Sequence, residues 1–220
     1  MISTLRNIKA VALAGLVGLG LGIQYGEVKA TANEVIVVAG GCFWCVESDF
    51  ERVKGVTEVI SGFTGGTVEN PSYKQVVRGG TGHFEAVQIF YDPSQVTTDQ
   101  LYSMFFRSVD PTDDGGQFCD RGAAYRTAIF VYNSVERAAA EAALKNAQAE
   151  LGKAIVTPVL DGGEFYPAET YHQDYYKQTA IILTRFGPKS KAKAYKAYRE
   201  ACGRDDRARQ LWGSSAPFAS

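Results

Sequence analysis

The chemistry in this 220-residue sequence starts at Gly40-Gly41-Cys42-Phe43-Trp44-Cys45. A thiolate is both a nucleophile and a metal ligand. A Cys-x-x-Cys spacing is therefore open to three readings: half of a zinc site, a dithiol that exchanges with disulfides, or a nucleophile with a thiol neighbour. Zinc is the weakest, because a structural site normally needs a second pair of ligands, and Cys119 and Cys202 stand singly and far apart. Cys42 lies where a Val/Ile-rich run hands over to an amphipathic stretch. At the start of a helix, unpaired backbone N–H groups and the positive end of the dipole favour a thiolate, which makes Cys42 the candidate nucleophile. The two glycines before it would let the backbone approach a ligand closely. Thioredoxin-like exchange between Cys42 and Cys45 shares the strand, Cys-x-x-Cys, helix layout and stays open on these residues alone.

Several elements have to position these groups. Glu34 to Ala39 reads as a buried strand ending in the glycine turn. Phe43 to Val53 reads as a helix with Val46, Phe50 and Val53 on its buried face and Glu47, Asp49, Glu51 and Arg52 solvated. Strands are expected at Val56 to Phe63, Phe84 to Tyr91 and Arg126 to Tyr132. Helices are expected from Pro71 to Gly79, from Thr97 to Val109, from Ser134 to Leu151 and from Ser190 to Cys202, where Gly203 stops the last one. The segment after Ile155 to Leu160 turns aromatic and irregular. This order predicts an α+β chain in two layers, a small mixed sheet with helices on one face.

Composition narrows the partners. With 23 basic and 24 acidic residues and no basic block, nucleic-acid binding through phosphate neutralisation is excluded as a driving force. Met1 to Lys9 carries Arg6 and Lys9, and Ala10 to Ile23 follows without a polar residue. Fourteen residues rise about 21 Å as a helix, short of the ~30 Å hydrocarbon core, so residues 1–32 read as a cleavable signal peptide with the mature start between Thr31 and Asn33. The alternative is an anchor through residues 10–23. Either places the folded part, a single domain over residues 33–220, outside the cytoplasm: periplasmic, secreted or held at the membrane.

Taken together, GGCFWCVE at 40–47, Gly62-Phe63-Thr64-Gly65-Gly66, Pro71-Ser72-Tyr73, Thr81-Gly82-His83-Phe84-Glu85, Asp110-Pro111-Thr112, Asp120-Arg121-Gly122, Tyr125-Arg126 and Phe165-Tyr166-Pro167-Ala168-Glu169 with Tyr171-His172-Gln173 resemble, in order and spacing, the peptide methionine sulfoxide reductase A family. The similarity runs from about Glu34 to Trp212. It implies an α+β fold of the ferredoxin-like plait type with an irregular C-terminal region, and reduction of the S-epimer of methionine sulfoxide, protein-bound or free. By that resemblance Cys42 attacks the sulfoxide sulfur and becomes a sulfenic acid, while Glu85 is the acid that protonates the oxygen. Tyr73 and Tyr125 hydrogen-bond that oxygen, Asp120 orients the donors, and Phe43 and Trp44 hold the S-methyl group.

Neither His83 nor His172 need be a base. Phe84, Val109, Ala124 and Phe118-Cys119 depart from the family's usual residues. Three thiols compete to resolve the sulfenic acid. Cys202 ranks first, on a C-terminal segment that reads as exposed and mobile, and Cys119 second. Cys45 is third, because one turn along a helix the two side chains bridge only if that turn is strained. The expected partners are thioredoxin, or a periplasmic thioredoxin-like reductant, and oxidised protein substrates, for a monomer without metal or organic cofactor.

Overall fold

The structure, a computed structural model, describes residues 33–219. The expected signal peptide and its cleavage site lie outside the described residues. In chain order the first half comprises β1 (Glu34–Gly40), α1 (Phe43–Phe50), β2 (Val56–Thr64), α2 (Tyr73–Arg78), β3 (Phe84–Tyr91) and α3 (Thr98–Ser108). A small hairpin follows, β4 (Gly116–Gln117) and β5 (Asp120–Arg121), then β6 (Thr127–Val131) and α4 (Ser134–Leu151). The remainder holds β7 (Val159–Asp161), β8 (Tyr166–Pro167), the hairpin β9 (Ile181–Thr184) and β10 (Gly187–Ser190), then α5 (Lys191–Ala201) and α6 (Arg204–Trp212).

Six strands form one sheet in the order β7-β6-β1-β3-β2-β8. The fold is α+β around a mixed sheet, antiparallel except where β6 runs parallel to β7. β1 lies between β3 and β6, and this central place explains its unbroken Val/Ile run. Ile36 and Val38 enter the larger core, whereas Val37 and Ala39 enter a smaller cluster on the opposite face with Phe84, Ala86, Ala128 and Phe130. The larger core takes Phe43, Val46 and Phe50 from α1, Leu101, Phe105 and Phe106 from α3, and Ala140, Ala143 and Ala147 from α4. The smaller cluster takes no helical residue, so these helices share one face of the sheet. Local signals close the helices: Thr97 and Gln100 form a capping box on α3, Asn133 accepts from Glu136 N at the start of α4, and Gly152 ends α4 in the left-handed region.

Three expectations need correction. The polar side of α1 is not solvated, since Glu47, Ser48 and Asp49 are all buried. The chain from Gln173 to Arg204 covers that side and supplies partners: Glu47 accepts from the Asp174 N–H, in addition to Ser61 Oγ of β2, and Asp49 pairs with Arg199 at 2.8 Å. Residues beyond Gly203 are not a free arm. They form α6, whose Arg204, Ala208 and Trp212 face inward at a four-residue spacing. The glycines before Cys42 serve packing rather than ligand approach. A Cβ on Gly41, at φ +80°, would lie 2.5 Å from Gln117 Cβ, and one on Gly40 would lie 2.9 Å from Val46 Cγ2. Both two-strand hairpins were invisible in the sequence pattern.

Candidate active site

Cys42 caps α1 from outside the helix, with φ −52° and ψ 116°, and its carbonyl accepts the Cys45 N–H at 3.0 Å. The side chain opens into a cavity of about 340 Å³. Phe43, Trp44, Tyr73, Glu85, Asp120 and Tyr125 line the same cavity, as do Cys45 and Cys202. The sheet and its loops hold this set in place. Glu85 projects from β3 and accepts the Phe43 N–H on Oε2 at 3.1 Å, which ties the acid to the first turn of α1. Its other oxygen, Oε1, is buried and accepts no well-formed hydrogen bond. Burial pushes the Glu85 carboxyl up to about 8, and the charges of Asp120 and Cys45 push the same way against the Phe43 N–H. At neutral pH Glu85 therefore carries a proton inside the cavity. Burial also raises the phenols of Tyr73 and Tyr125, with the Glu85 charge adding to each, so both remain O–H donors.

The two free thiols divide one proton. Cys42 S–H donates to Cys45, and this bond, with burial and the negative charges around it, holds the Cys42 pKa well above the usual thiol value. The same bond lowers Cys45 to about 7, helped against burial by Arg204 and Arg199. Against the expected pull of the helix terminus, the Cys42 thiol is pushed up. The helix terminus favours a thiolate, but the acids of the sheet side oppose one on Cys42 while the guanidinium groups stabilise one on Cys45.

Both histidines are structural partners. His83 accepts the Gly66 N–H on Nδ1 and reaches the Val68 carbonyl with Nε2 at 2.7 Å, which pins the loop after β2. His172 accepts from Trp44 Nε1 on Nδ1, so its proton sits on Nε2, and burial lowers its pKa to about 4. Its ring lies 4.3 Å from Tyr73 and 5.2 Å from Phe43 between centroids, and Tyr175 stacks on Trp44 at 3.7 Å. His172 thereby orients the aromatic wall.

Asp120 reaches the cavity through the β4–β5 hairpin, which Gln117 fastens to Asp110 by hydrogen bonds of 2.8 Å in both directions. Phe118, at φ +54°, takes a conformation rarely adopted by a bulky residue, and the Arg204 guanidinium lies over its ring at 4.7 Å. The next residue, Cys119, forms a disulfide with Cys202. Phe118 and Cys202 border both the cavity and an outer depression that Cys119 also lines, so this disulfide stands between the interior and the surface.

A model of the family described as peptide methionine sulfoxide reductase matches residues 34–206, the span that carries every residue of this site. The chain belongs to that family. Peptide methionine sulfoxide reductase MsrA 2 of Rhizobium meliloti is 45% identical over 86% of this chain and 88% of its own length. The enzyme of the same name from Caulobacter vibrioides is 43% identical over 88% of this chain and 92% of its own. Among solved structures, methionine sulfoxide reductase A of Corynebacterium diphtheriae superposes with a TM-score of 0.60 at 34% identity, covering 66% of this chain and 74% of that one.

As a peptide methionine sulfoxide reductase the chain is an oxidoreductase that reduces methionine sulfoxide. The reading of the sequence missed Arg199 and Arg204 as parts of this site. Arg204 is 2% exposed, donates to the Gly40 carbonyl at 3.3 Å and lies 3.8 Å from Asp49. The spacing of Arg204, Ala208 and Trp212 was the available signal, but an arginine does not read as the start of a buried face. Glu47, Glu51 and Asp174 converge closely, with Lys177 bound to Glu51 and Asp174 and the Asp174 N–H bound to Glu47.

Proposed function

We propose that the chain reduces the S-epimer of methionine sulfoxide, protein-bound or free, through a sulfenic acid on Cys42, and that a thioredoxin-type dithiol outside the cytoplasm restores it. One observation supports this reading above the others: a fully buried Glu85, whose carboxyl burial pushes up to about 8, shares a cavity with the Cys42 sulfur and two phenols. The sulfoxide oxygen accepts from Tyr73 and Tyr125, and its methyl group packs against Phe43 and Trp44. Cys42 passes its proton to Cys45 as its sulfur bonds to the sulfoxide sulfur, and Glu85 protonates the oxygen. The hydroxyl then moves from the substrate sulfur to the Cys42 sulfur as the S–S bond breaks, so the thioether leaves with both electrons of that bond and Cys42 remains as S–OH. The family assignment leaves no place for thioredoxin-like exchange as the primary activity, since Glu85, Tyr73 and Tyr125 would be idle in it.

The placement of the thiols supports a different order of resolution from the one expected with a mobile Cys202. Cys42 is a cap residue, not the first residue of a helical turn, so its sulfur meets Cys45 without unwinding α1. Cys202, on the packed junction of α5 and α6, is joined to Cys119. In the proposed order Cys45 sulfur displaces water from the sulfenic acid and forms a Cys42–Cys45 disulfide. The Cys119/Cys202 dithiol then reduces that bond and is itself oxidised, which leaves the thiol states described above. An external dithiol finally reduces Cys119–Cys202 from the surface side.

The deciding assay is racemic methionine sulfoxide with dithiothreitol, read by chiral chromatography: the S-epimer disappears and the R-epimer remains. Consumption of both or neither overturns the reading. With thioredoxin as donor, Cys202→Ser should accumulate Cys42–Cys45 in peptide maps. Undiminished turnover in that variant would remove Cys202 from the relay. The βαββαβ order of β1, α1, β2, β3, α3 and β6 supports the ferredoxin-like plait. The extracellular or periplasmic location rests on residues 1–32 and is tested by the intact mass of the natively expressed protein.

A further inference from the structure

The β9–β10 hairpin takes no part in the chemistry above. Its strands form a sheet of their own, with Leu183 opposite Pro188, Ile182 opposite Lys189 and Ile181 opposite Ser190. Lys191 N–H donates to the Ala180 carbonyl at 2.9 Å, and the alternation of an antiparallel ladder makes Ile182 and Lys189 the next bonded pair. Leu183 faces a proline, which has no N–H to give. The backbone groups of Ile181 and Leu183 therefore turn to the outer edge of β9, where no strand among the described residues meets them.

That edge is also apolar. Ile181 is 70% and Leu183 85% exposed, and beyond them Phe186 and Tyr198 form a partly exposed aromatic pair, ring centroids 5.6 Å apart, that carries the Arg185 guanidinium over both rings and leaves Ile181 and Leu183 as the uncharged part of the edge. Proteins ordinarily blunt such an edge with charge, proline or a covering segment, because it is a template for another strand. Here the strand is continuous with the reaction site. Ile182, Leu183 and Thr184 line the catalytic cavity, and β10 does not.

We propose that the β9 edge is the docking strand for the polypeptide that carries the oxidised methionine: an extended, apolar segment adds to β9 and turns its sulfoxide side chain into the cavity. This rests on the reading of the cavity as the methionine sulfoxide pocket. Strand addition draws on backbone hydrogen bonds and so accepts many sequences, which suits an enzyme whose substrate is one residue in many contexts. Alternate side chains of an added strand point to opposite faces. The oxidised residue can therefore enter the cavity while its two neighbours pack over Ile181 and Leu183.

The test compares kcat/KM, with dithiothreitol as reductant, for N-acetylmethionine sulfoxide and for an apolar peptide with one central methionine sulfoxide. Wild-type protein needs no change in one arm: backbone N-methylation of the peptide at one set of alternate residues should lower kcat/KM about tenfold through KM, and the other set should not. In the second arm, Ile181→Asp should lower the ratio of peptide to N-acetylmethionine sulfoxide kcat/KM by a similar factor. Equal rates for both methylation patterns, or an unmoved ratio in Ile181→Asp, would overturn the docking edge. A variant impaired only when thioredoxin replaces dithiothreitol would do the same and give the edge to the donor. Wild-type protein that reduces neither compound would remove the pocket reading as well, whereas reduction of both with the ratio unmoved removes the docking edge alone.

Discussion

The two walls of the cavity differ in chemistry, one lined by acids and phenols and the other by guanidinium groups. The sheet side brings Glu85 from β3 and Asp120 from β5, with the phenols of Tyr73 and Tyr125. The C-terminal side brings Arg199 from α5 and Arg204 from α6, both bound to Asp49 beneath α1. Cys42 and Cys45 lie between them, three residues apart, and one is raised while the other is lowered to about 7. The contact between the two sulfurs is the largest influence on both, and the walls add to it in opposite directions: Glu85 and Asp120 push Cys42 up, while Arg204 and Arg199 pull Cys45 down.

The largest effect should come from the sulfur on the acidic side. Cys42→Ser removes reduction altogether in single-turnover assays, since an alcohol without an activating base does not attack a sulfoxide sulfur. Measurable turnover in that variant would break the division of labour between the walls.

Next comes the acid itself. Glu85→Gln should slow the reductase step by about 10² to 10⁴ fold, the range of a positioned proton donor. The wild-type step should also fall as pH rises through about 8, where Glu85 loses its proton, and the variant should not show that limb. Stability follows the same titration. The folded carboxyl lies above its ordinary value of about 4.5, so the native state binds more protons between about 4.5 and 8. The Glu85 contribution is fully present below that window and is lost as pH rises through about 8. Urea unfolding at pH 5 and 8.5 should thus show Glu85→Gln gaining on wild type at the higher pH. A constant difference would mean that Glu85 is charged in the native state.

The basic wall gives the smallest catalytic effect and the clearest structural one. Arg204→Met removes the most distant of three cations around buried Asp49, which keeps Arg199 and Arg52, and should cost about 1 to 3 kcal/mol in urea unfolding. The alkylation profile of Cys45 should shift upward from its midpoint near 7, because the cation that favours its thiolate is gone. An unshifted profile would reduce Arg204 to a structural role and assign the lowered value to the Cys42 contact alone.

The same contrast separates what was legible in the sequence from what was not. β1, β3 and α4 lie close to the expected spans because their signals are local: a continuous apolar run for a strand buried on both faces, and Asn133 and Gly152 at the two ends of α4. The sheet-side residues of the site were named only through the family resemblance of their motifs, and the structure brings all of them to one cavity. The basic wall was not found. Arg204 counts as exposed until Asp49 and the Gly40 carbonyl receive it, and Asp49 counts as solvated until Arg199 covers it. Each charge is buried only because the other is there, and no periodicity encodes a pair so distant along the chain.

By itself the sequence determined which atoms are available for chemistry, the strands and helices that carry them, and the family resemblance of the sheet-side motifs, since all of these depend on residue type and near neighbours. Only the tertiary structure decided that Cys42 and Cys45 share a cavity with two acids and two arginines, that Cys119 and Cys202 are joined, and that the segment after Gly203 closes the site instead of hanging free. The reason is physical. Acidity, disulfide geometry and the burial of charge depend on distances across the fold, and those distances exist only once the sheet and the C-terminal helices have packed together.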